Sequence, residues 1–419
     1  MIGVEFLYEM KRIFRNNIFR LFILFSVVGV ITMQYTWINL TMLHLPHIRL
    51  YDCWIPWSYK GLPFAMPFMN AFLFNFVQVV FVIFICSNDL CVRSRETVEA
   101  LYVRPVSNVK IVMGRNAGKL VAVTLLNFLS MGGALFFNIL YSGYAFNGSL
   151  YLFYWLTLTF PTLVFILGLS NWLGQVVKHQ GLFILLVLSI VGAGILFLAT
   201  RLEGFLDPFA REIPNVFSDI TGHAGIVNYL LQRITIFLIG IVFIFLTVGF
   251  YPRLDNSVNT RKKTGVLVGG LLLVLMIPVV TFINRHDARW EQQAFCKSLQ
   301  DRYGGVLVDH VVSQRIVLQE ETHGFHAESW MRITRLTSSD SSLVLFLNPG
   351  LEVDALEQDG IPVTYSRTGQ VLVTDLHLVE KDTVNLHVTY HGHIDGSVVC
   401  SDLPRESRGR ELSKRLGGM

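Results

Sequence analysis

Long apolar runs dominate the first two thirds of the chain. Each covers about 20 residues, the length that a helix needs to cross the hydrocarbon core of a bilayer. The seven runs are residues 17–38, 62–87, 120–142, 151–177, 181–199, 225–250 and 265–284. Because backbone groups in lipid must be hydrogen-bonded within the chain, these runs are expected to be helical. The pattern predicts a membrane all-α bundle of six core transmembrane helices plus a seventh.

The pattern changes at both ends of this region. In residues 1–16 an apolar helical face is predicted, formed by Phe6, Leu7, Met10, Ile13 and Phe14. With Glu9, Lys11, Arg12 and Arg15 elsewhere, this segment is typical of an amphipathic interfacial helix on the inner leaflet. A plain cytosolic extension of the first span would carry the same basic residues, so both interpretations stay open.

Beyond residue 284 the apolar residues alternate with polar ones, as expected for strands. After a weakly helical stretch at 290–303, strand-like runs occur at 315–318, 330–336, 343–347, 351–356, 371–378 and 383–390. Turn signals such as Asn348-Pro349-Gly350 separate them. Residues 285–403 are therefore predicted to form a small mainly-β domain, an antiparallel sandwich. The polar tail 404–419 is predicted to be disordered.

Composition supports a polytopic membrane protein, with 52% hydrophobic residues, 15% charged residues and a mean hydropathy of +0.50. The clusters of Lys and Arg precede the first span, follow the second and fourth, and precede the seventh. The cluster after the second span includes Lys110, Arg115 and Lys119, which are assigned to an inner loop. All four lie on one side if seven spans alternate, which predicts a cytoplasmic amino terminus and a β-rich domain outside. That domain holds 9 Lys and Arg against 17 Asp and Glu, which argues against nucleic acid as a partner.

The segment between the second and third runs carries the clearest functional pattern. Its candidate coupling residues are Asp89, Arg93, Arg95, Glu96, Thr97, Glu99, Leu101, Arg104 and Pro105, followed by Val106, Ser107, Gly114 and Lys119. The preference for positive residues inside explains a basic loop, but not Glu96, Pro105 or the length. The segment resembles that of permease subunits of type V bacterial ABC transporters, which export antibiotics and lipids. In that family it forms a short coupling helix in a cleft of the nucleotide-binding subunit.

The resemblance covers residues 1–262, with the six-span permease domain at 17–262. It implies an exporter in the bacterial inner membrane that pairs with an identical or homologous permease and a separate ATPase. The chain contains no phosphate-binding loop, since the stretch from Gly114 to Leu120 has the wrong spacing. ATP and magnesium are therefore expected on the partner subunit, and this chain is not expected to be an enzyme. The seventh span, 265–284, and the periplasmic domain depart from the simplest family members.

The β-rich segment resembles the amino-terminal β-domain of zinc aminopeptidases, which some bacterial proteins join to such permeases. The resemblance rests on residues 345–349, 351–353 and 388–392. Because the chain has no His-Glu-x-x-His pair, the zinc chemistry of that family is not expected, and no metal ligands are predicted. The histidines are interpreted as ordinary surface or core residues, and the domain is a candidate for binding cargo or a periplasmic partner.

Three polar side chains in the apolar runs are candidates for a translocation path. Asn75 and Gln78 share a helical face and either line a path or join neighbouring helices. Arg233 is either an outer gate or a side chain that snorkels to the membrane surface. In type V exporters the second and fifth spans line the cavity, so the apolar fifth run implies a lipidic or amphipathic cargo.

Two further alternatives follow from the sequence. The first is a non-transporting complex, in which the spans anchor the outer domain and an ATPase only changes its conformation.

The second concerns Cys296 and Cys400, which bracket the outer domain. An oxidising compartment would allow a disulfide between them, and two free thiols are the alternative.

Overall fold

The computed structural model describes most of the chain as a mainly helical protein with a small β-sheet region near the carboxyl end. The described residues are 2–43, 47–50, 53–56, 62–93, 107–141, 147–194, 197, 204–210, 223, 225–251, 258–304, 309–321, 324–335, 342–374 and 383–395. They fall into two compact units, which divide between Phe282 and Ile283.

The helices of the described chain follow the apolar runs. They are α1 (Ile2–Arg15), α2 (Asn17–Leu43), α3 (Leu62–Arg93), α4 (Asn108–Tyr141), α5 (Gly148–Tyr154), α6 (Phe160–Val176), α7 (Gln180–Ala193), α8 (Ile226–Phe250) and α9 (Val258–Tyr303). A π-helical turn, Trp155–Thr159, joins α5 to α6. A short antiparallel hairpin, β1 (His47–Leu50) and β2 (Cys53–Pro56), lies between α2 and α3.

Five segments of the described chain are long and apolar enough to cross a membrane. They are Pro67–Leu90, Asn108–Leu140, Gly148–Val176, Ile226–Phe250 and Arg261–Tyr303. A sixth is counted if α1 and α2, which are bent by 71° at their junction, act as one broken span. This bears out the coarse prediction of a helical membrane protein with a β region, while the number of spans and their orientation stay predictions.

One predicted run differs from the helix observed. The third run was expected to begin at residue 120, but α4 begins at Asn108. Lys110, Arg115 and Lys119, assigned to an inner loop, therefore lie within a helix. The fifth run is described as helix α7 over 14 residues. Residues 195, 196 and 198–203 lie outside the described residues, so the full length of this run stays a prediction.

The closest helix packing in the first unit is between α6 and α8. A Cβ atom added at Gly168 would lie 2.3 Å from the carbonyl oxygen of Gly240, and one added at Gly240 would lie 2.6 Å from the backbone nitrogen of Phe165. Small residues allow such an approach of two backbones in membrane helices. The two glycines therefore set the position of α6, which carries several of the polar side chains described below.

The β region contains two antiparallel sheets. Its strands are β3 (Asp309–Glu321), β4 (Gly324–Arg335), β5 (Leu343–Phe346), β6 (Leu351–Gln358), β7 (Ile361–Pro362), β8 (Tyr365–Thr368), β9 (Val371–Thr374) and β10 (Thr383–Gly392). The larger sheet has the order β3-β4-β10-β6-β7 and the smaller one β5-β9-β8. Leu343 of the small sheet packs with Ile333, Leu356 and Leu386 of the large one, so the sheets share a core.

The carboxyl-terminal part of α9 belongs to this second unit. Its Leu299 packs against Val344 and Val371 of the small sheet. The side-chain amide of Gln370 donates to the carbonyl oxygen of Cys296 at 2.8 Å. Two short strands, β7 and β8, were not predicted, because their sequences, Ile-Pro and Tyr-Ser-Arg-Thr, show no alternation of apolar and polar positions.

We expect Gly240→Val to destabilise the helical unit. The new side chain would collide with the backbone of α6, and overpacking typically costs about 1–3 kcal/mol. Thermal unfolding of the purified protein in detergent, followed by circular dichroism, should give a lower midpoint. Gly132→Val is the matched control, because a Cβ atom there meets nothing within 4 Å. Equal midpoints for the two variants would contradict the close α6–α8 packing.

Candidate functional site

A buried ion pair joins the two helices on either side of the predicted coupling segment. Asp89 lies near the end of α3, and Lys119 lies within α4. Lys119 Nζ donates to Asp89 Oδ2 at 2.6 Å, and both side chains are almost fully buried. Residues 94–106, between the two helices, lie outside the described residues. The pair therefore closes the base of the helical hairpin that carries the candidate coupling residues.

The amino-terminal helix α1 is joined to the same pair. Arg12 Nη2 donates to the second carboxylate oxygen of Asp89, Oδ1, and to Glu9 Oε1 at 2.5 Å. Glu9 has no exposed surface. Asp89 thus binds one cation through each oxygen, Lys119 on α4 and Arg12 on α1. We refer to Glu9, Arg12, Asp89 and Lys119 as the charge cluster.

Close packing of α1 on α4 brings Glu9 to this position. A Cβ atom added at Gly118 would lie 2.8 Å from Glu9 Cβ and 3.1 Å from the carbonyl oxygen of Phe6. Any larger residue at 118 would push α1 away. A second contact of opposite charges joins the same helices, with Arg115 Nε 3.9 Å from Glu5 Oε2. The first helix is therefore held to α4 by shape and by charge.

Polar side chains extend the charge cluster to α6. Lys119 Nζ also donates to Asn171 Oδ1 at 3.1 Å and lies 3.7 Å from Cys86 Sγ. The amide nitrogen of Asn171 donates to Asn116 Oδ1 at 2.5 Å and to the carbonyl oxygen of Leu167 at 2.8 Å. An ammonium group has three N–H donors, and three polar atoms surround this one. Four helices, α1, α3, α4 and α6, thus meet at Lys119.

The four charges of the cluster balance, two negative and two positive. A buried charge without its partner is costly, and breaking a buried pair typically costs about 3–5 kcal/mol. With balanced charges and several hydrogen bonds, the cluster holds one arrangement of four helices. Moving one of them away would leave charges unpaired, so α1, α3 and α4 are expected to move together.

The structure places the other predicted site residues as follows. Arg93 is the last residue of α3, and its side chain is not described. Seven further candidates lie outside the described residues: Arg95, Glu96, Thr97, Glu99, Leu101, Arg104 and Pro105. Cys296 is a buried thiol, but Cys400 also lies outside them, so their disulfide stays a prediction. Of the predicted coupling residues, the structure describes the contacts of Asp89.

Asn75 and Gln78 are fully buried between helices. The amide of Gln78 donates to Asn75 Oδ1 at 2.6 Å and to the carbonyl oxygen of Thr159 at 3.1 Å. Thr159 ends the π-helical turn, where the usual α-helical hydrogen-bond register is interrupted. The bond from Gln78 to Thr159 fits the alternative in which these side chains join neighbouring helices, whereas the bond to Asn75 lies within α3. Whether they also line a path stays untested.

Arg233 is held within the helical unit and does not snorkel. Only 1% of its surface is exposed. Its guanidinium donates to the carbonyl oxygens of Pro208 and Asp207, each at 2.9 Å, and to Gln232 Oε1 at 2.6 Å. Gln232 donates to the carbonyl oxygens of Asp207 and Gly204 as well. The pair satisfies the backbone of residues 204–210, which forms short turns and leaves carbonyl groups without helical partners.

Sequence analysis missed the main partners in the charge cluster. Glu9 and Arg12 were placed away from the apolar face of α1, as if facing water, and Lys119 was counted as a loop residue. One signal was present in the sequence: Asp89 is the single acidic residue of α3, whereas α4 carries three basic residues, Lys110, Arg115 and Lys119, and no acidic one. Intramembrane ionic residues generally need such a partner.

Comparison of the chain with models of known protein families found no match. A comparison with curated proteins found no match either. The functional interpretation therefore depends on the residues and their geometry.

The charge cluster can be tested by removing its charges singly and together. Lys119→Met should destabilise the protein by about 3–5 kcal/mol, because it leaves Glu9 and Asp89 with one cation. Adding Asp89→Asn restores the balance, so the double variant should be more stable than the sum of the single changes allows. Thermal unfolding in detergent measures the stability of the single and double variants. Lys178→Met, which removes the charge of an exposed side chain, is the control. Additive losses would show that the two side chains do not interact.

Proposed function

We propose that the chain is the permease subunit of an ATP-driven exporter in a bacterial inner membrane. One observation carries the proposal: the charge cluster joins both helices of the predicted coupling hairpin to α1 and α6. A soluble motor that presses on residues 94–106 would then act on four helices at once. Rigid elements with fixed ion pairs can transmit such a movement, whereas a loop on independent helices would deform.

In this proposal ATP and magnesium are bound by a separate subunit, and a second permease, identical or homologous, completes the complex. Closure of the ATPase pushes the coupling segment, and α3 and α4 move with α1. The helices that surround the cargo then change their tilt, so that the cargo leaves towards the outer side. The apolar α7 supports an amphipathic or lipidic cargo, because it offers few polar groups to a hydrophilic one.

The alternative proposal is a complex that transmits force without moving a cargo. Gln78 favours it, because the amide of this candidate path residue donates to Asn75 on the same helix and to the carbonyl oxygen of Thr159 on another segment. In this case the ATPase changes the conformation of the outer domain, which binds a partner.

Reconstitution in liposomes separates the two functions, since only an exporter should hydrolyse ATP faster when its amphipathic cargo is added.

The coupling role predicts the behaviour of two charge reversals. Glu96→Arg and Arg104→Glu should insert normally but lower both co-purification with the ATPase and ATP turnover in nanodiscs. Reversing a charge in a contact that buries it typically costs about 2–5 kcal/mol, whereas a change at an exposed position costs far less. The exposed Lys297→Glu provides that control. Wild-type assembly and turnover in both reversals, or no ATPase in the native complex, would contradict the proposal.

A further inference from the structure

The large sheet carries a polar face opposite its core. On β10 the residues Val384, Leu386, Val388 and Tyr390 are buried, so the alternate positions point to the other side. On the neighbouring strands β4 and β6 the same alternation applies. This polar face therefore carries three imidazoles and four carboxylates, which belong to His326, Glu328, Glu352, Asp354, Glu357, His387 and His391.

Strand register brings four of these side chains together. His391 on β10 is the direct partner of His326 on β4 and of Glu352 on β6. A register shift between Thr389 and Tyr390 leaves Asp354 as an extra residue on β6. Such bulges re-aim a side chain. Here the bulge turns Asp354 towards the two histidines.

The carboxylate of Asp354 lies between two imidazole rings from different strands. Its Oδ1 is 2.7 Å from His391 Nδ1, and its Oδ2 is 3.9 Å from His326 Nε2. The other nitrogen of His391, Nε2, lies 3.9 Å from Glu352 Oε2. All four side chains are at least partly exposed, so a solvated ion can reach them.

We propose that His326, Asp354 and His391 bind a divalent transition ion of the Zn²⁺ class. Imidazole nitrogen and carboxylate oxygen are the ligands that such ions prefer. Donors around a tetrahedral ion with bonds near 2.0–2.2 Å are separated by roughly 3.3 Å. The two observed separations, 2.7 and 3.9 Å, lie on either side of this value. Water completes the coordination.

The ion would close the site by small side-chain rotations. Among the described residues, no group of three or more His, Cys, Asp or Glu side chains is placed to hold a metal ion as the side chains stand. Coordination through Nδ1 of His391 moves its remaining proton to Nε2, which faces Glu352. Metal-bound histidines generally donate this second N–H to a carboxylate or carbonyl oxygen, which fixes the ring. Glu352 is therefore assigned as the positioning residue.

A third histidine on the same face supplies a matched control. His387 lies 3.6 Å from Glu357 Oε2 and 3.7 Å from Glu328 Oε2. Its ring is stacked on Trp330, with centroids 4.9 Å apart and an interplanar angle of 10°. Like His391 it lies between two carboxylates, but its side chain is less exposed, 28% against 46%, and it has no second imidazole in its ion pairs. The proposal excludes it from the site.

Zinc titration of the full-length purified protein, without a polyhistidine tag, tests the assignment. Competition with a chromogenic chelator should show one saturable Zn²⁺ site per chain. His391→Ala and Asp354→Ala should each weaken binding at least about 10-fold, and His387→Ala should not weaken it. Circular dichroism checks that each variant is folded. No saturable site, or equal weakening by His387→Ala, would overturn the proposal and indicate an adventitious ion only.

A second measurement needs no variant. Modification of the wild-type histidines by diethyl pyrocarbonate, followed by mass spectrometry, should slow at His326 and His391 when Zn²⁺ is added. The rate at His387 should stay the same. Zinc protection of all three histidines, or of none, would contradict the site.

Discussion

The arrangement of the helical unit depends on the pairing of charges that are buried among apolar helices. Asp89 accepts from Lys119 with one oxygen and from Arg12 with the other, and Glu9 balances the second cation. Glu9, Asp89 and Lys119 are buried and cannot turn to water without separating helices, whereas the Arg12 side chain is 27% exposed. The same atoms therefore fix where α1, α3 and α4 lie, and Asn171 extends the arrangement to α6.

This constraint links the position of α1 to a segment far away in sequence. Arg12 and Asp89 are separated by 77 positions, yet α1 is attached directly to the base of the predicted coupling hairpin. A second polar centre, at Arg233 and Gln232, attaches residues 204–210 to α8. Ionic and amide groups thus determine which helices are joined, and glycines such as Gly118 and Gly240 determine how closely they approach.

The sequence predicted much of the fold and less of the site. Apolar runs located the helices, and alternation located the longer strands, because both signals are local. The start of α4 was misplaced, since Lys110, Arg115 and Lys119 look like loop residues until their partners are known. Glu9, Arg12 and Lys119 come together only through the packing of α1 on α4. Asp354, the carboxylate beside His326 and His391, was not predicted either. The sequence was searched for metal ligands at helical spacing, whereas strand register and a bulge bring Asp354 to both imidazole rings.

The central claim is that α1 and α4 move as one body when the proposed ATPase acts on the predicted coupling segment. Spin labels are placed in a variant without native cysteines. Labels at the exposed positions Tyr8 and Lys110 report the distance between α1 and α4. Labels at Tyr8 and Lys178 report movement of α1 against the end of α6. The distances are measured by electron double resonance in the native complex, with and without ATP and vanadate. The account predicts that ATP changes the Tyr8–Lys110 distance by less than about 2 Å, the scale of small helix shifts. In the double variant Asp89→Asn with Lys119→Met, α1 and α4 should no longer be held together, and the distance should change more. A larger ATP-dependent change of the Tyr8–Lys110 distance in the protein with an intact cluster would contradict it.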